Sequence, residues 1–245
     1  MESAWSRTRS LRRSGCLLPA DMSVTEDGLS AFRPGRERKS MMSVRIERVV
    51  TAGVLTLNGN NIGIENNIWL IGDDAEVLVI DASHDASAIV DRIGSRHVSA
   101  LLITHGHSDH INVAAEVISA TGAPVRLHAE DRMLWDRLHP GIVPQTLYDG
   151  QALDIAGTAV TVIHAPGHTL GSVCIYVADL GVLFSGDTLF PGGPGATGQP
   201  FSSYPGIISS IRSRLLPLPG TTRVLPGHGE ETTIAAEAPG IPACG

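Results

Sequence analysis

The sequence predicts a domain of the α+β class, and three observations support this. Residues 44–80 contain short runs rich in valine and isoleucine, separated by Gly-Asn and Gly-Asp-Asp turns. From there to residue 228, short apolar strand patterns alternate with helix patterns and with Pro or Gly turns. Hydrophobic residues make up 42% of the 245-residue chain, enough for one sizeable core. We therefore expect a single domain over residues 41–245.

The first 40 residues differ from the rest of the chain. They are rich in arginine and serine and have no periodic apolar face. We expect residues 1–40 to be a disordered or non-native extension, with Met41 or Met42 as an alternative start.

Charge and cysteine content limit the function classes. Residues 1–40 carry eight basic and five acidic side chains, +3, so the remainder of the −7 chain carries −10. An acidic body disfavours nucleic acid as a partner, and no apolar run approaches the roughly 18 residues of a membrane span. Three scattered cysteines form no disulfide framework, so we expect a cytoplasmic protein.

The first strands of the domain follow from its turn pattern. Apolar runs at 44–50, 67–71 and 76–80 predict an antiparallel meander. Asp81 ends the third strand and is either a turn residue or a partner behind a metal ligand. Asp85 is a plausible N-cap for a helix over residues 86–93.

The central stretch of the sequence is Ser99–His110, where an apolar run ends in metal-binding side chains. Ala100–Ile103 is uninterrupted, as in a strand covered on both faces. His105 and His107 follow two residues apart, and on a helix they would point about 200° apart. They can therefore share an ion only from an extended loop.

Asp109 and His110 fall at the expected start of a helix over residues 111–121. Adjacent side chains on a helix point in directions about 100° apart, so this pair can bind a metal ion at a second position. The spacing predicts two metal ions. Imidazole and carboxylate ligands suit zinc or another borderline divalent ion.

Three further strand ends each deliver one metal-type side chain after a Pro or Gly turn. The strands are expected at residues 158–163, 182–184 and 224–225. Catalytic residues commonly lie on loops at sheet ends. The three side chains are His168, Asp187 and His228. The other histidines lack ligand neighbours and are interpreted as surface or satisfied side chains: His84, His97, His128, His139 and His164.

The order of these motifs resembles the metallo-β-lactamase superfamily, specifically its glyoxalase II-like thioester hydrolases. The motifs are Thr-His-Gly-His-Ser-Asp-His at 104–110, Pro-Gly-His-Thr at 166–169, Ser-Gly-Asp-Thr-Leu-Phe at 185–190 and Pro-Gly-His-Gly at 226–229. The resemblance covers about residues 44–235. It implies an αββα sandwich with two mixed β-sheets face to face and helices outside.

The resemblance also implies a dinuclear site. One ion takes His105, His107 and His168, the other takes Asp109, His110 and His228, and Asp187 bridges them. A hydroxide between the ions would be the nucleophile, with Asp109 and Asp187 as the catalytic residues. The cofactors would be two divalent ions, zinc by preference and iron or manganese as alternatives, and the substrate a small-molecule thioester.

The chain also departs from that family pattern. Gly193-Pro-Gly-Ala196 stands where glyoxalase II-like sequences often carry Gly-Cys-Gly-Arg, and no lysine occurs after residue 40. The glutathione-binding helical domain of the longer members has no counterpart in the seventeen residues after His228. The identity of the thiol therefore stays open.

Several alternative functions remain at this stage. A lactonase or other ester hydrolase would use the same hydroxide, and a persulfide dioxygenase would use a single iron on a related scaffold. A β-lactamase must expel an amine, which normally needs protonation. A non-enzymatic metal-binding protein would tolerate lost ligands, and none of the seven is lost. Proximity to Asp187 predicts that the loop Phe190–Tyr204 forms the substrate wall, with Phe190, Phe201 and Tyr204 as its aromatic residues.

Overall fold

A computed structural model describes residues 43–57 and 60–243 of the chain. The expected N-terminal extension, residues 1–40, lies outside the described residues.

One six-stranded sheet is formed by the first half of the domain, and we call it the first sheet. Its strand order follows the sequence from β1 to β6. The first three strands are antiparallel, which confirms the predicted meander, and the last four run parallel. The strands are β1 (Arg45–Leu57), β2 (Asn60–Gly72), β3 (Glu76–Ile80), β4 (His97–Leu102), β5 (Val125–His128) and β6 (Gln145–Leu147).

A second six-stranded sheet is formed by the other half of the domain. Its order is β14-β13-β10-β9-β8-β7, and only the β10 to β13 pairing is parallel. The strands are β7 (Ala152–Ile155), β8 (Thr158–His164), β9 (Val173–Val177), β10 (Val182–Gly186), β13 (Arg223–Pro226) and β14 (Thr232–Thr233). In the chain segment that connects β10 to β13, β11 (Leu189–Phe190) and β12 (Gly193–Pro194) form a separate two-stranded pair.

The α-helices are short. A turn of π-helix, Ile211–Leu215, extends the fifth of them. The helices are α1 (Ala86–Ile93), α2 (Ser108–Ile111), α3 (Ala114–Thr121), α4 (Arg132–Leu138), α5 (Tyr204–Ser210) and α6 (Ile234–Glu237). As predicted, Asp85 caps α1, its carboxylate accepting a hydrogen bond from the Ala88 amide at 3.0 Å. No helix in the described ranges is long and apolar enough to cross a bilayer.

Alternating burial along the strands produces three apolar layers. In β2, Ile68 and Leu70 face a core shared with α1, α3 and α4, whereas Trp69 and Ile71 face the second sheet. In β10, Phe184 faces the first sheet and Leu183 packs with α5 and α6. This alternation gives helices, sheet, sheet and helices in order, which confirms the αββα sandwich.

The predicted helix over residues 111–121 is wrong in its bounds. The chain forms α2 at Ser108–Ile111, breaks at Asn112 and Val113, and resumes as α3. Asp109 and His110 therefore lie inside a separate single-turn helix. Ile111, the last residue of this short helix, is buried in the same core cluster as Ala114 and Val117 of α3.

Candidate metal centre

All seven predicted ligand residues meet at one edge of the sandwich, where strands of both sheets end. The loop after β4 carries His105 and His107, and α2 carries Asp109 and His110. The second sheet contributes the other three, from the turn after β8, the end of β10 and the end of β13: His168, Asp187 and His228. Each sheet therefore supplies about half of the centre.

Parallel pairing brings two of these loops together. Strands β10 and β13 run side by side, and beyond them the Gly227 amide donates to the Gly186 carbonyl at 2.9 Å. Asp187 and His228 follow directly. Parallel neighbours end at the same edge of a sheet, so this pairing fixes the separation of the two side chains.

Three imidazoles form one cluster, which we call the three-histidine site. The Nδ1 atom of His107 lies 3.1 Å from Nε2 of His105 and 2.9 Å from Nε2 of His168. The three rings meet edge to face, with centroids 4.6 to 4.8 Å apart. Their nitrogens therefore point at a common position.

A second cluster, which we call the Asp109 site, lies beside the first. The Nε2 atoms of His110 and His228 are 3.1 Å apart. Asp109 Oδ2 lies 3.6 Å from the first and 3.4 Å from the second. This cluster combines two imidazoles with one carboxylate, a donor set that suits divalent ions.

Asp187 lies between the two sites. Its Oδ2 atom is 3.5 Å from His168 Nε2 and 3.4 Å from His228 Nε2, so one carboxylate oxygen faces both. Its Oδ1 atom is buried and makes no hydrogen bond with the described residues, with His110 Nε2 3.4 Å away. A buried carboxylate oxygen without a donor is unfavourable unless a cation or another donor approaches it.

The outer ring nitrogens show which atoms are available for a metal. His168 Nδ1 donates to the Ala196 carbonyl at 2.8 Å, and His228 Nδ1 donates to the Glu65 carbonyl at 2.7 Å. His110 Nδ1 donates to Asp81 Oδ2 at 2.8 Å. With Nδ1 engaged in this way, the Nε2 atoms face inward and are the ring atoms left for a metal.

Asp81 connects the two halves of the ligand loop. It accepts hydrogen bonds from His110 and from both the amide and the hydroxyl of Thr104, each at 2.8 Å. Because the Thr104 hydroxyl donates to Asp81, it accepts from His105 Nδ1 at 3.1 Å. Of the two roles predicted for Asp81, the geometry matches the partner behind a metal ligand.

Converging lone pairs make the donor set suitable for cations. In the three-histidine site, the unprotonated ring nitrogens of His105 and His107, 3.1 Å apart, repel each other, and a bound cation removes that repulsion. Three groups of three donors have ligand atoms within 4.8 Å of one another, and together they include all seven residues. The residues therefore fit two divalent ions.

Protonation differs between the two sites. Burial, followed by the neighbouring His168, lowers the pKa of His107 to about 4. Burial also holds the pKa of His105 well below its usual value, and the neighbouring histidines add to this effect. The three-histidine site therefore offers these two nitrogens unprotonated at neutral pH.

The Asp109 site behaves in the opposite way. Burial disfavours the charged form of His228, but hydrogen bonds with the carboxylates of Asp109 and Asp187 outweigh it and raise its pKa to about 9. Burial is likewise outweighed at His110, whose pKa the charges of Asp187 and Asp81 raise well above 6.5. Protons and metal ions would compete for this site.

Gly227 provides the space that these side chains occupy. A Cβ atom at this position would lie 2.6 Å from Asp187 Oδ1 and 2.6 Å from His110 Cε1. A real Cβ does not approach other atoms so closely, so any larger residue would displace a ligand. The glycine of the Pro-Gly-His-Gly motif is thus required by the geometry of the centre.

Asn66 is a site residue that the sequence did not reveal. Its side chain is buried on β2, and Nδ2 lies 3.5 Å from Asp109 Oδ2 and 3.3 Å from His110 Nε2. His84 Nε2 donates to Asn66 Oδ1 at 2.8 Å and so fixes the orientation of the amide. His84, expected to be an ordinary histidine, therefore supports the Asp109 site through Asn66.

Asp131 is a second residue that the sequence did not reveal. Its buried carboxylate accepts from the Gly106 amide at 2.8 Å, and from the Thr169 hydroxyl and the Gly171 amide at 2.7 Å each. Gly106 lies between His105 and His107, and Thr169 follows His168. One carboxylate thus ties together the two loops that supply the three-histidine site.

The remaining histidines lie away from the donor clusters. His139 is buried and donates to the Ile111 carbonyl at 2.7 Å. His128 and His164 stack with centroids 4.0 Å apart, and His97 is exposed. They match the interpretation as surface or satisfied histidines.

A pocket of about 630 Å³ opens onto the donor residues. Phe190, predicted to be part of the substrate wall, lines it together with Ile64 of β2 and residues 191–196. Phe201 and Tyr204 were also expected there, but they are not among its lining residues and are 41% and 50% exposed. The Gly198 amide donates to the Ser202 hydroxyl in a turn after the wall segment, and Tyr204 then begins α5.

Comparison with known proteins gives consistent matches. The sequence profile of the Metallo-beta-lactamase superfamily matches residues 63–228. The hydroxyacylglutathione hydrolase GloC of Haemophilus influenzae is 33% identical over 190 residues, which are 71% of this chain and 90% of that protein.

Two solved structures have similar folds. The B3 metallo-beta-lactamase BLEG-1 superposes with a TM-score of 0.65 at 30% identity, covering 78% of this chain and 98% of that one. TTHA1623, solved in a di-iron-bound form, superposes with a TM-score of 0.66 at 29% identity and the same coverage. The profile match includes all seven donor residues.

Proposed function

The chain belongs to the metallo-beta-lactamase superfamily, and on that premise we propose that it is a dinuclear metal-dependent hydrolase that cleaves thioesters. The premise supplies the reaction class, metal-assisted hydrolysis. The substrate class comes from the pocket, and in particular from its lack of a proton donor.

The donor set supports the dinuclear part of the proposal. Two divalent ions bound there would supply a hydroxide nucleophile near neutral pH and would polarise the acyl oxygen of the substrate. The three-histidine site and the Asp109 site would each hold one ion, with Asp187 facing both. A single iron, as in a persulfide dioxygenase, would leave Asp109 and His228 without a role. Zinc is our first expectation, and iron is an alternative because TTHA1623 has a di-iron-bound form.

The observation that carries the substrate class is the chemistry of the pocket wall. Among the described residues that line it, none is a lysine, arginine, tyrosine or cysteine. Its three histidines, His107, His168 and His228, all belong to the donor clusters. The pocket therefore offers no independent side chain to protonate a leaving group.

The absence of such an acid from the described lining favours leaving groups that depart as anions. A thiol has a pKa near 8.5, so a thiolate can leave with little help, whereas an amide nitrogen must be protonated as the bond breaks. General acid catalysis is typically worth about 10² to 10⁴ in rate. Without a general acid, thioester hydrolysis should lose little of this rate factor, whereas β-lactam hydrolysis should lose most of it.

A substrate panel tests the proposal. With the metal-loaded full chain, kcat/KM on a simple neutral thioester, the lactoyl thioester of N-acetylcysteamine, should exceed that on a cephalosporin by at least about 10²-fold. The panel includes a lactone, since a lactonase is the main alternative. Asp187→Ala in the same preparation controls for contaminating hydrolases, because it should lose all of these activities together. Comparable rates on the cephalosporin, or turnover of the lactone alone, would contradict thioester hydrolysis.

A further inference from the structure

The pocket in front of the metal centre has an apolar and uncharged wall. Besides the donor residues, it is lined by Ile64, Ser108, Gln199 and the segment Phe190–Ala196, which contains three glycines and two prolines. No lysine or arginine lines the pocket in residues 43–57 and 60–243, and its three histidines belong to the donor clusters. Building on the proposed function, we propose that the thiol portion of the thioester substrate carries no negative charge.

The positions of the basic residues explain this lack of positive charge. Residues 41–245 contain no lysine and ten arginines, against twenty acidic residues. Most of the arginines are paired with carboxylates away from the centre. Examples are Arg96 with Glu47 at 2.5 Å, Arg132 with Asp136 at 2.6 Å and Arg223 with Glu231 at 2.7 Å.

Arg48 contacts the loop that carries His228, but its guanidinium lies outside the pocket. It donates to the Gly229 carbonyl at 2.9 Å and to Asn67 Oδ1 at 2.8 Å. Its guanidinium lies over the ring of Trp69 and lines a different cavity. It therefore supplies no counter-charge to a ligand in the pocket.

Hydrogen bonds also hold the pocket wall in place. They oppose a rearrangement that would bring a distant arginine to a ligand in the pocket. The Gly192 amide donates to Glu237 Oε2 at 2.8 Å, and the Gly195 amide donates to the Thr188 carbonyl at 3.2 Å. The Ala196 carbonyl accepts from His168. A Cβ at Gly195 would lie 1.8 Å from the Asp187 carbonyl, so the loop packs directly against the centre.

A carboxylate on the thiol portion would therefore be poorly accommodated. It would lose hydration against proline, phenylalanine and isoleucine without gaining a partner, and it would approach a domain of net charge −10. The charge of the bound ions would act at the donor end of the pocket, where the acyl group reacts. A polyol, amide or short alkyl thiol avoids this penalty.

Two substrates that share an acyl group and differ in one charge test the inference. The lactoyl thioesters of N-acetylcysteamine, which is neutral, and of 3-mercaptopropionate, which is an anion, are compared with the metal-loaded full chain. Rates are corrected for the hydroxide reactivity of each compound. We expect kcat/KM to be about tenfold or more higher for the neutral thioester, mainly through KM, and the gap to narrow as salt is raised.

Variants at Gln199 show whether the pocket causes the preference. Gln199→Arg should reduce the difference in kcat/KM between the two thioesters by raising kcat/KM for the anionic one. Gln199→Met, of similar size, should leave the ratio of the two kcat/KM values unchanged. Equal or faster turnover of the anionic thioester by the unmodified chain would overturn this inference and leave the proposed function standing. Failure to hydrolyse either thioester would instead overturn the proposed function, and this inference with it.

Discussion

Asp131 holds Gly106 through a hydrogen bond of 2.8 Å between carboxylate and amide, although the two residues are 25 positions apart. The same carboxylate binds Thr169 and Gly171, so it fixes the separation of the loops that carry His105, His107 and His168. The geometry of the three-histidine site thus depends on a residue that contacts none of its ring nitrogens.

Replacing Asp131 tests this dependence. Asparagine keeps the size but turns one acceptor into a donor that faces N–H and O–H groups. We expect Asp131→Asn to weaken metal binding at the three-histidine site by about 10- to 100-fold, as outer partners of ligands typically do, with less effect at the Asp109 site. Equilibrium metal titration measures both.

A control separates this effect from general loss of stability. Asp136→Asn removes an exposed carboxylate on the following helix that pairs with Arg132, and it should leave both affinities unchanged. Val117→Ala, on the buried face of α3, lowers stability without touching the site. Equal weakening of both sites by Asp131→Asn, matched by Val117→Ala, would mean that Asp131 is only a folding residue.

Metal content should respond differently to the two carboxylates of the centre. The purified chain should hold close to two divalent ions, and Asp187→Ala should lower occupancy of both sites because Asp187 faces both. Asp109→Ala should spare the three-histidine site. Elemental analysis of the three proteins gives the result, and one tightly bound iron per chain with oxygen consumed on a persulfide would contradict a dinuclear hydrolase.

Gly227→Ala tests the tight packing around the centre. The added methyl would lie 2.6 Å from Asp187 Oδ1 and 2.6 Å from His110 Cε1, so one of these ligands must move. We expect a loss of turnover of about 10²-fold or more, since misplacement of about 1 Å can have that effect. Gly141→Ala is the matched control, because its Cβ meets no atom within 4 Å among the described residues. Wild-type turnover in Gly227→Ala would show that the centre is not as closely packed as described.

Metal affinity at the Asp109 site should rise with pH. The pKa of His228 is raised to about 9, so this side chain is protonated at neutral pH in the metal-free protein and must lose its proton to bind a metal, and the raised pKa of His110 acts in the same direction. Metal affinity at the three-histidine site should change little with pH over the same range, because the pKa of His107 is about 4 and that of His105 is also lowered. Chelator competition at several pH values measures this difference.

The same loss of protons with rising pH should lower the stability of the metal-free fold. A histidine whose pKa is raised by folding stabilises the metal-free fold fully below about pH 6.5, and this contribution is lost as the pH rises towards about 9. The metal-free protein should therefore become easier to unfold by urea across that window, and the metal-loaded protein should not. A metal-free stability that rises steadily from pH 6.5 to 9 would contradict the assignment of the extra protons to His228 and His110.

Much of the fold followed from local patterns. The runs at 67–71 and 76–80 lie within β2 and at β3, and the N-cap at Asp85 begins α1 as expected. These predictions succeeded because alternation and capping act within a few residues. The helix break at Asn112 was missed, because the apolar pattern of 111–121 continues through it while the metal centre constrains the backbone before it.

The supporting residues of the centre were harder to find. Asn66 precedes an apolar run by two residues, and nothing near it in sequence marks it as facing Asp109, 43 positions away. Asp131 directly precedes α4, and its partners are distant in sequence. A usable signal existed for Asp131, since it follows the end of β5 as the ligands follow other strands. Its partners in the turn after β8 become visible only once the two sheets are packed.

The division of ligands between the sheets affects the order in which the protein assembles. His105, His107, Asp109 and His110 lie within six residues and can capture an ion in the nascent chain, before the second sheet exists. His168, Asp187 and His228 come only when that sheet docks. Neither site therefore has its complete set of ligands until the two sheets pack together, so metal binding and the docking of the sheets should stabilise each other.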